Sequence, residues 1–175
     1  MAAQGFLALV GGKYRQILAT VSSTGVAMAG KILALGDDGR IDPSVMPVGI
    51  GANTQIVTAS EALAAGNYVN FYANAGALNV RKADNSNGRR ADGFVLAAVA
   101  NAAQATVYPL DSVNTALTGL TPGADYWLGT AGGVIAAALD ETLAANQGSN
   151  KISQFLGTAK SATELITTDS DPVLL

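Results

Sequence analysis

Short runs of aromatic and β-branched residues, separated by glycine and asparagine, make up the sequence from Thr54 to the C-terminus. The run YVNFY at 68–72 is typical, because aromatic and β-branched side chains suit a pleated, half-buried surface. Short runs bounded by turn signals predict an all-β domain. The predicted strands are 55–57, 68–72, 105–110, 124–128, 134–138, 152–158 and 164–168.

One dipeptide predicts a hairpin. Asn87-Gly88 is a favoured pair for a tight type I′ turn, and it stands between Val80 on one predicted arm and Phe94 and Val95 on the other. We therefore expect a hairpin centred on this pair.

Three stretches favour a helix. Thr58 and Glu61 have the spacing of a capping box, which predicts one helical turn through residues 62–64. The alanine-rich stretches 96–105 and 138–145 have high helix propensity. Gly93 and Asn101 weaken a helix in the first of them, and the second suits one or two turns.

An internal repeat is visible in the β region. Gly66 and Gly123 are 57 residues apart, Gly76 and Gly133 are also 57 apart, and Phe94 and Phe155 are 61 apart. Two such copies imply a pseudo-twofold β-barrel or sandwich. In a sequence so rich in glycine and alanine the same matches could arise by chance. The predicted fold is mainly β, a barrel or sandwich with two candidate repeated units and an extended N-terminal arm.

Residues 1–52 differ from the rest of the chain. Short β-type runs at 17–21 and 31–35 are separated by glycines, by serines and by the turn DDGR at 37–40. The segment IDPSVMPVGIGANT at 41–54 has proline and glycine at spacings that suit neither a helix nor a central strand. We predict an extended arm and linker at 1–52, which gains order by lying on another surface, and a β domain at 53–175.

Residues 25–32, GVAMAGKI, match the G-x-x-x-x-G-K spacing of a nucleotide-binding P-loop. In a P-loop a Ser or Thr after the lysine holds magnesium, but here that residue is Ile32. The motif also needs a following helix to support the phosphates, and GDDG at 36–39 ends any helix within two turns. We interpret Gly25 and Gly30 as the ends of a flexible, small-residue connection.

The residue inventory argues against catalysis and cofactors. The sequence has no Cys and no His, which removes disulfides, thiolate metal sites, Ser-His-Asp triads and the usual proton shuttle. The acidic stretch 37–42 lacks the ligand spacing of a calcium loop, and the paired acids at 140–141 and at 169 and 171 have nothing nearby to shift their pKa. We expect no enzyme activity, no catalytic residues, no cofactor and no metal site.

Charge and hydropathy argue against nucleic acid and membrane. The net charge is −3, whereas nucleic-acid binding needs a basic face. The four basic residues between 81 and 90 have Asp84 and Asp92 among them and no interleaved aromatics, so a solvated loop is the simpler interpretation. No apolar stretch approaches the roughly 18 residues of a membrane span, and the apolar run 6–10 is too short for a signal sequence. We expect a protein that stays in the compartment where it is made.

The surface is predicted to associate with other proteins. Charged residues are 13% of the chain, about half the usual quarter, and a surface poor in charge is poorly protected against association. Five aromatics alternate with smaller residues on predicted strands, which favours core packing or a subunit interface over a platform for sugars or bases. They are Tyr68, Phe71, Tyr72, Tyr126 and Trp127.

Several stretches resemble bacteriophage structural proteins. Residues 30–54, GKILALGDDGRIDPSVMPVGIGANT, resemble the linker that precedes a β domain in many tailed-phage proteins, with Gly36 where the family usually has Asp. LAAGNYVNFY at 63–72, VRKADNSNGRRADGFVLAAV at 80–99 and GLTPGADYWLGTAGGVI at 119–135 are similar to the β domain of phage head decoration (cement) proteins and of some tail-fibre proteins.

The resemblance implies a β domain that oligomerises, often as a trimer, and an arm that reaches across major capsid subunits. We therefore expect a virion protein, made in the host bacterial cytoplasm, that binds the outer surface of the capsid and bridges capsomers. Its expected partners are the major capsid protein and copies of itself, as a homotrimer. The alternative is a tail-fibre or baseplate component that binds a receptor. The arm residues expected to bind a partner are Phe6, Leu7, Leu9, Tyr14, Ile17, Leu18, Ile32 and Leu33.

Overall fold

The computed structural model describes residues 4–46, 53–147 and 150–175 of the protein. The chain divides into two compact units, Met1–Gly51 and Ala52–Leu175. Part of the predicted linker, Pro47, Gly49 and Gly51, lies outside the described residues.

The N-terminal unit begins with an antiparallel hairpin of β1 (Gly5–Val10) and β2 (Lys13–Leu18). Gly11 and Gly12 form its two-residue turn, and their φ values of 60° and 77° suit the type I′ geometry that matches the twist of paired strands. Sequence analysis expected extended chain here but not this pairing. Beyond the hairpin are 3₁₀ turns at Val26–Met28 and Pro43–Val45, and the run predicted at 31–35 makes only a single parallel bridge, between Leu33 and Thr20.

The C-terminal unit is built from short strands, and the mainly β fold expected from the sequence is confirmed. In chain order the strands are β3 (Gln55–Ala59), β4 (Tyr68–Asn74), β5 (Ala77–Lys82), β6 (Gly93–Phe94), β7 (Gln104–Val107), β8 (Val113–Asn114), β9 (Asp125–Leu128), β10 (Val134–Ile135), β11 (Ile152–Ser153), β12 (Phe155–Ala159), β13 (Leu165–Thr167) and β14 (Val173–Leu174).

The first sheet of this unit is almost closed into a barrel. Its strand order is β6-β4-β5-β3-β7, with β3 and β5 parallel and the other pairs antiparallel. The two edge strands meet again where Phe94 of β6 bonds to Tyr108, the residue after β7. Alternate residues of the strands therefore point to an enclosed interior, filled by valines and small residues: Val57, Ala59, Leu63, Val69, Val80, Val95, Ala105 and Val107.

The second sheet repeats the arrangement of the first. Its order is β10-β9-β12-β13-β8, and β8, β9, β10, β12 and β13 correspond to β3, β4, β5, β6 and β7. All neighbour relations of the first sheet recur except the parallel β3–β5 pair, so the second sheet is open between β8 and β10. β4 and β9 begin 57 residues apart (Tyr68 to Asp125), as do β5 and β10 (Ala77 to Val134). The internal repeat predicted from the sequence is therefore confirmed.

The two repeats share one apolar core. Tyr68 and Phe94, on the outside of the first sheet, pack with Leu128, Leu156 and Leu165 of the second. The fully buried side chain of Asn114 in β8 donates to the carbonyl of Gly66, just before β4. The N–H of Tyr68 donates to the carbonyl of Gly132, in the turn between β9 and β10. The start of β4 thus bonds to both sides of the opening in the second sheet.

Two local predictions were wrong. Residues 62–64 form no helical turn, because Leu63 exchanges two backbone bonds with Val99 and Glu61 accepts the N–H of Lys82 instead of capping a helix. Asn87-Gly88 is not a type I′ hairpin, since only Gly88 has a positive φ and β5 and β6 each pair with β4.

The alanine-rich stretches gave two outcomes. Residues 96–105 contain no helix, because Val99 and β7 are paired across the first sheet. A single 3₁₀ turn, Ala144–Asn146, lies at the end of the second stretch. None of the helices in the described residues has the length and apolar character needed to cross a membrane.

Candidate interaction surface

The register of the hairpin divides its side chains between two faces. Leu9 lies opposite Tyr14, Leu7 opposite Gln16 and Gly5 opposite Leu18, so all of these residues share one face. The apolar members of this set, Leu7, Leu9, Tyr14 and Leu18, are called the leucine face. They are 74%, 64%, 79% and 56% exposed. The leucine face carries no charge and packs against little of its own chain.

The opposite face of the hairpin is smaller and partly covered. Phe6 lies opposite Ile17, and both are half-buried. Lys13 and Arg15 belong to this face, opposite Val10 and Ala8. The hairpin contains no acidic residue, so it combines an apolar face with a cationic one.

The other two predicted binding residues lie outside the hairpin. Ile32 accepts a hydrogen bond from the N–H of Thr20 at 2.9 Å, and Ala34 donates to the Thr20 carbonyl at 2.8 Å, so Ile32 and Leu33 lie beside the chain that leaves β2. Ile32 is 51% exposed and Leu33 is 39% exposed. The structure therefore brings six of the eight predicted residues together in the hairpin and places these two in a neighbouring segment.

The N-terminal unit has no core in its described part. Of the side chains described between Gln4 and Met46, none is buried. Of the eighteen large apolar side chains that are exposed in the described residues, twelve lie in this segment. Sequence analysis missed five of them, Val21, Val26, Leu35, Ile41 and Met46, although the lack of any periodic core pattern was a usable signal. A two-stranded hairpin is marginally stable in water without further packing.

The two parts of the chain have opposite charge. Residues 1–52 contain four basic and three acidic residues, whereas residues 53–175 contain six basic and ten acidic residues. The arm therefore has a net charge of +1 and the β domain of −4. Within the basic cluster, Arg90 pairs with Asp92 at 2.7 Å, and the Arg81 guanidinium lies 4.2 Å from the Tyr72 ring centroid.

Several carboxylates are engaged in local turns. Asp42 accepts both the N–H and the hydroxyl of Ser44, and these bonds lower the pKa of Asp42. Asp140 does the same with Thr142, and its pKa is lowered for the same reason. No group of three or more potential metal-ligating side chains occurs in the residues described.

Asp84 joins the two repeats. It accepts the N–H and hydroxyl of Ser86, and its other oxygen accepts the N–H of Ala131 at 3.0 Å. Partial burial would raise the pKa of Asp84, but these bonds and the nearby Arg89 guanidinium outweigh burial and lower it. Its role in the structure is to hold the turn of one repeat on that of the other.

The P-loop-like segment has a different geometry from a nucleotide site. Gly25, with φ 95°, precedes the 3₁₀ turn at Val26–Met28, and Gly30 has φ 77°. Between Lys31 and Asp42 the described chain contains no helix. The helix N-terminus that supports the phosphates in a P-loop is therefore not formed here.

Comparisons with known proteins give limited information. No protein-family model matches the sequence, and a search of curated proteins gives no match. Among solved structures, the chain is similar to the crystal structure of the head fiber gp8.5 N base in bacteriophage phi29, with 11% identity and a TM-score of 0.43. The match covers 67% of this chain and 95% of that one. A similarity at this level identifies neither the fold nor the function of the chain.

Proposed function

We propose that this chain is a decoration (cement) protein of a tailed-bacteriophage head. In this proposal the β domain lies on the outer surface of the major capsid lattice, and residues 1–52 lie on a neighbouring capsid subunit. The chain bridges capsomers and has no enzymatic role, no cofactor and no nucleic-acid partner.

The observation that carries the proposal is the lack of buried side chains between Gln4 and Met46, combined with the leucine face. Isolated apolar side chains are common on protein surfaces, but a contiguous exposed patch marks a contact site. Burial of one leucine stabilises a contact by about 1.5–3 kcal/mol. A patch of three such aliphatic side chains and a tyrosine can therefore offset much of the cost of ordering the arm.

The two-part construction of the chain suits reinforcement of a shell. A decoration protein needs no catalytic residues, since it works by burying area between subunits that are already assembled. When several copies associate through their β domains, each additional arm binds at high effective concentration. A homotrimer, as the resemblance to decoration proteins implies, presents three arms to the lattice.

The proposal is tested by attachment to phage heads that lack this protein. The triple variant L7S/L9S/Y14S removes most of the leucine face, and the variant Q16A changes the polar residue on the same face. Because these side chains are exposed, both variants should fold like the wild type. We expect the triple variant to lose head binding by at least about a hundredfold in co-sedimentation, and Q16A to bind within a few-fold of wild type.

Unchanged binding by the triple variant would exclude the leucine face as the contact. Immunogold labelling of whole virions separates head from tail: label on the head agrees with the proposal, whereas label confined to the tail favours a fibre or baseplate component.

A further inference from the structure

The first sheet of the β domain is incomplete at one place, which is called the seam. The seam lies between residues 96–99 on one side and Gln104 and Thr106 of β7 on the other. Phe94 and Tyr108 are bonded at its closed end. Beyond that pair the two segments separate and leave a cavity of about 250 Å³. At about 30 Å³ per water molecule, the seam is much larger than a single bridging water requires.

The pairing of β7 shows that its free backbone groups point into the seam. The N–H of Ala59 donates to the carbonyl of Ala103, which fixes the alternation along the β3–β7 ladder. In an antiparallel pair the hydrogen-bonding residues alternate, so Ala105 and Val107 bond to β3 and Gln104 and Thr106 face away. Tyr108 follows the same alternation, since it bonds to Phe94 on the far side.

The opposite side of the seam is also unpaired. Val95 bonds to Gly66 and Asn67, and Val99 exchanges two bonds with Leu63. Between them, residues 96, 97 and 98 make no backbone hydrogen bond to any described residue. The seam is therefore a sheet edge, flanked by apolar side chains, that can accept one more strand.

The hairpin offers a matching edge. Its two-residue turn makes Val10 and Lys13 a hydrogen-bonded pair, and the bond from the N–H of Ala19 to the carbonyl of Gln4 keeps the same alternation. Gly5, Leu7 and Leu9 therefore point their backbone N–H and C=O groups away from β2. These groups have no backbone partner among the described residues.

Charge selects β1 over the other hairpin strand. The residues that line the seam are uncharged, so a charged side chain entering it would lose water without gaining a counter-ion. β1 has the uncharged sequence GFLALV, whereas β2 carries Lys13 and Arg15. An apolar, uncharged strand with a free edge is the occupant that the seam can accept.

We propose that the seam binds β1 from a second copy of this chain, which adds to β7 as the next strand. Each copy supplies one strand and one seam, so the contact is heterologous and closes as a ring, such as a trimer. This inference goes beyond the decoration function, because it concerns association of the chain with itself and needs no shell protein. Edge pairing uses backbone groups, so the leucine face stays available for another partner.

The test uses two full-length proline variants and sedimentation velocity of the purified chain. Leu7→Pro removes an outward N–H of β1, and Thr106→Pro removes a seam-facing N–H without removing a bond to β3, as edge positions allow. We expect the wild type to associate with increasing concentration. Each variant alone should associate at least about tenfold more weakly.

The decisive sample is an equimolar mixture of the two variants. The intact β1 of the Thr106→Pro variant can enter the intact seam of the Leu7→Pro variant, so the mixture should form a heterodimer that neither variant forms alone. Gln104→Pro, which removes the other seam-facing N–H of β7, replaces Thr106→Pro if circular dichroism shows that the latter unfolds. A monomeric wild type, variants that associate normally or a mixture that stays monomeric would each overturn the proposal. Head binding by a monomeric wild type would leave the decoration function standing.

Discussion

Phe94 and Tyr108 exchange two backbone hydrogen bonds, of 3.0 Å from the N–H of Phe94 and 2.9 Å from that of Tyr108. Their rings are stacked with centroids 5.7 Å apart. This pair joins the two edge strands of the first sheet, and Phe94 also packs into the core shared with the second repeat. Closure of one repeat is thus linked to its packing on the other.

Gly93→Ala should destabilise this closure. A Cβ at Gly93 would lie 2.5 Å from the Tyr108 carbonyl oxygen and 2.6 Å from a methyl of Val107. Since the backbone cannot yield without disturbing the Phe94–Tyr108 pair, we expect a loss of about 1–3 kcal/mol in the free energy of unfolding, measured in urea. Gly119→Ala is the control, because its Cβ would meet nothing within 4 Å; its loss should be smaller and should come only from the positive φ. Equal losses would contradict the steric explanation.

Ala75→Asn should stabilise the protein. Ala75 and Gly76 form the two-residue turn between β4 and β5, with φ values of 50° and 83°. Alanine is strained at positive φ, whereas Asn-Gly is a preferred pair for a type I′ turn. We expect a gain of about 0.5–1 kcal/mol in the free energy of unfolding. The same substitution at Ala77, a strand residue, should give no gain.

Two buried tyrosines should respond in opposite ways to removal of the hydroxyl. The Tyr68 hydroxyl has no hydrogen-bond partner among the described residues, and burial raises its pKa, although the nearby Asn114 side chain opposes part of that rise. The Tyr126 hydroxyl accepts the N–H of Thr121 at 2.9 Å. Tyr126→Phe should therefore cost about 1 kcal/mol, and Tyr68→Phe should be neutral or stabilising. Thermal unfolding of the two variants compares them directly, and a large loss for Tyr68→Phe would show that its hydroxyl is satisfied.

Asp84→Asn should weaken the contact between the repeats and change the response to acid. The pKa of Asp84 is lower in the folded chain than its ordinary value of 3.8. Its stabilising effect is therefore complete above the unfolded pKa and is lost as the pH falls through the folded one. We expect the variant to be about 1 kcal/mol less stable at neutral pH and to lose less further stability below pH 4. Parallel stability–pH curves for the two proteins would contradict this role.

The strands that could be predicted from the sequence are those with strong local signals. The aromatic run at 68–72 became β4, and the glycine spacing of 57 residues identified the repeat. The two-residue strands β8 and β14 were missed because so few residues carry no detectable alternation. The hairpin of β1 and β2 was also missed, although Gly11-Gly12 between apolar runs is a recognised hairpin signal.

Tertiary contacts decided the remaining cases. The capping-box spacing at Thr58 and Glu61 predicted a helical turn, but burial of Leu63 in the first sheet and its pairing with Val99 provide more stabilisation than one turn of helix. The leucine face could be chosen from composition, because apolar residues in a segment without a core must be exposed. Its division into two faces needed the register, which no local pattern in the sequence specifies.

The central claim is that the N-terminal unit buries its apolar residues on a shell protein. A cryo-EM map of the assembled particle tests it most directly. The account predicts density for this chain on the outside of the head, with Leu7, Leu9 and Tyr14 in contact with a major capsid subunit. Density for the chain on the tail, or a hairpin on the head that points into solvent, would contradict it.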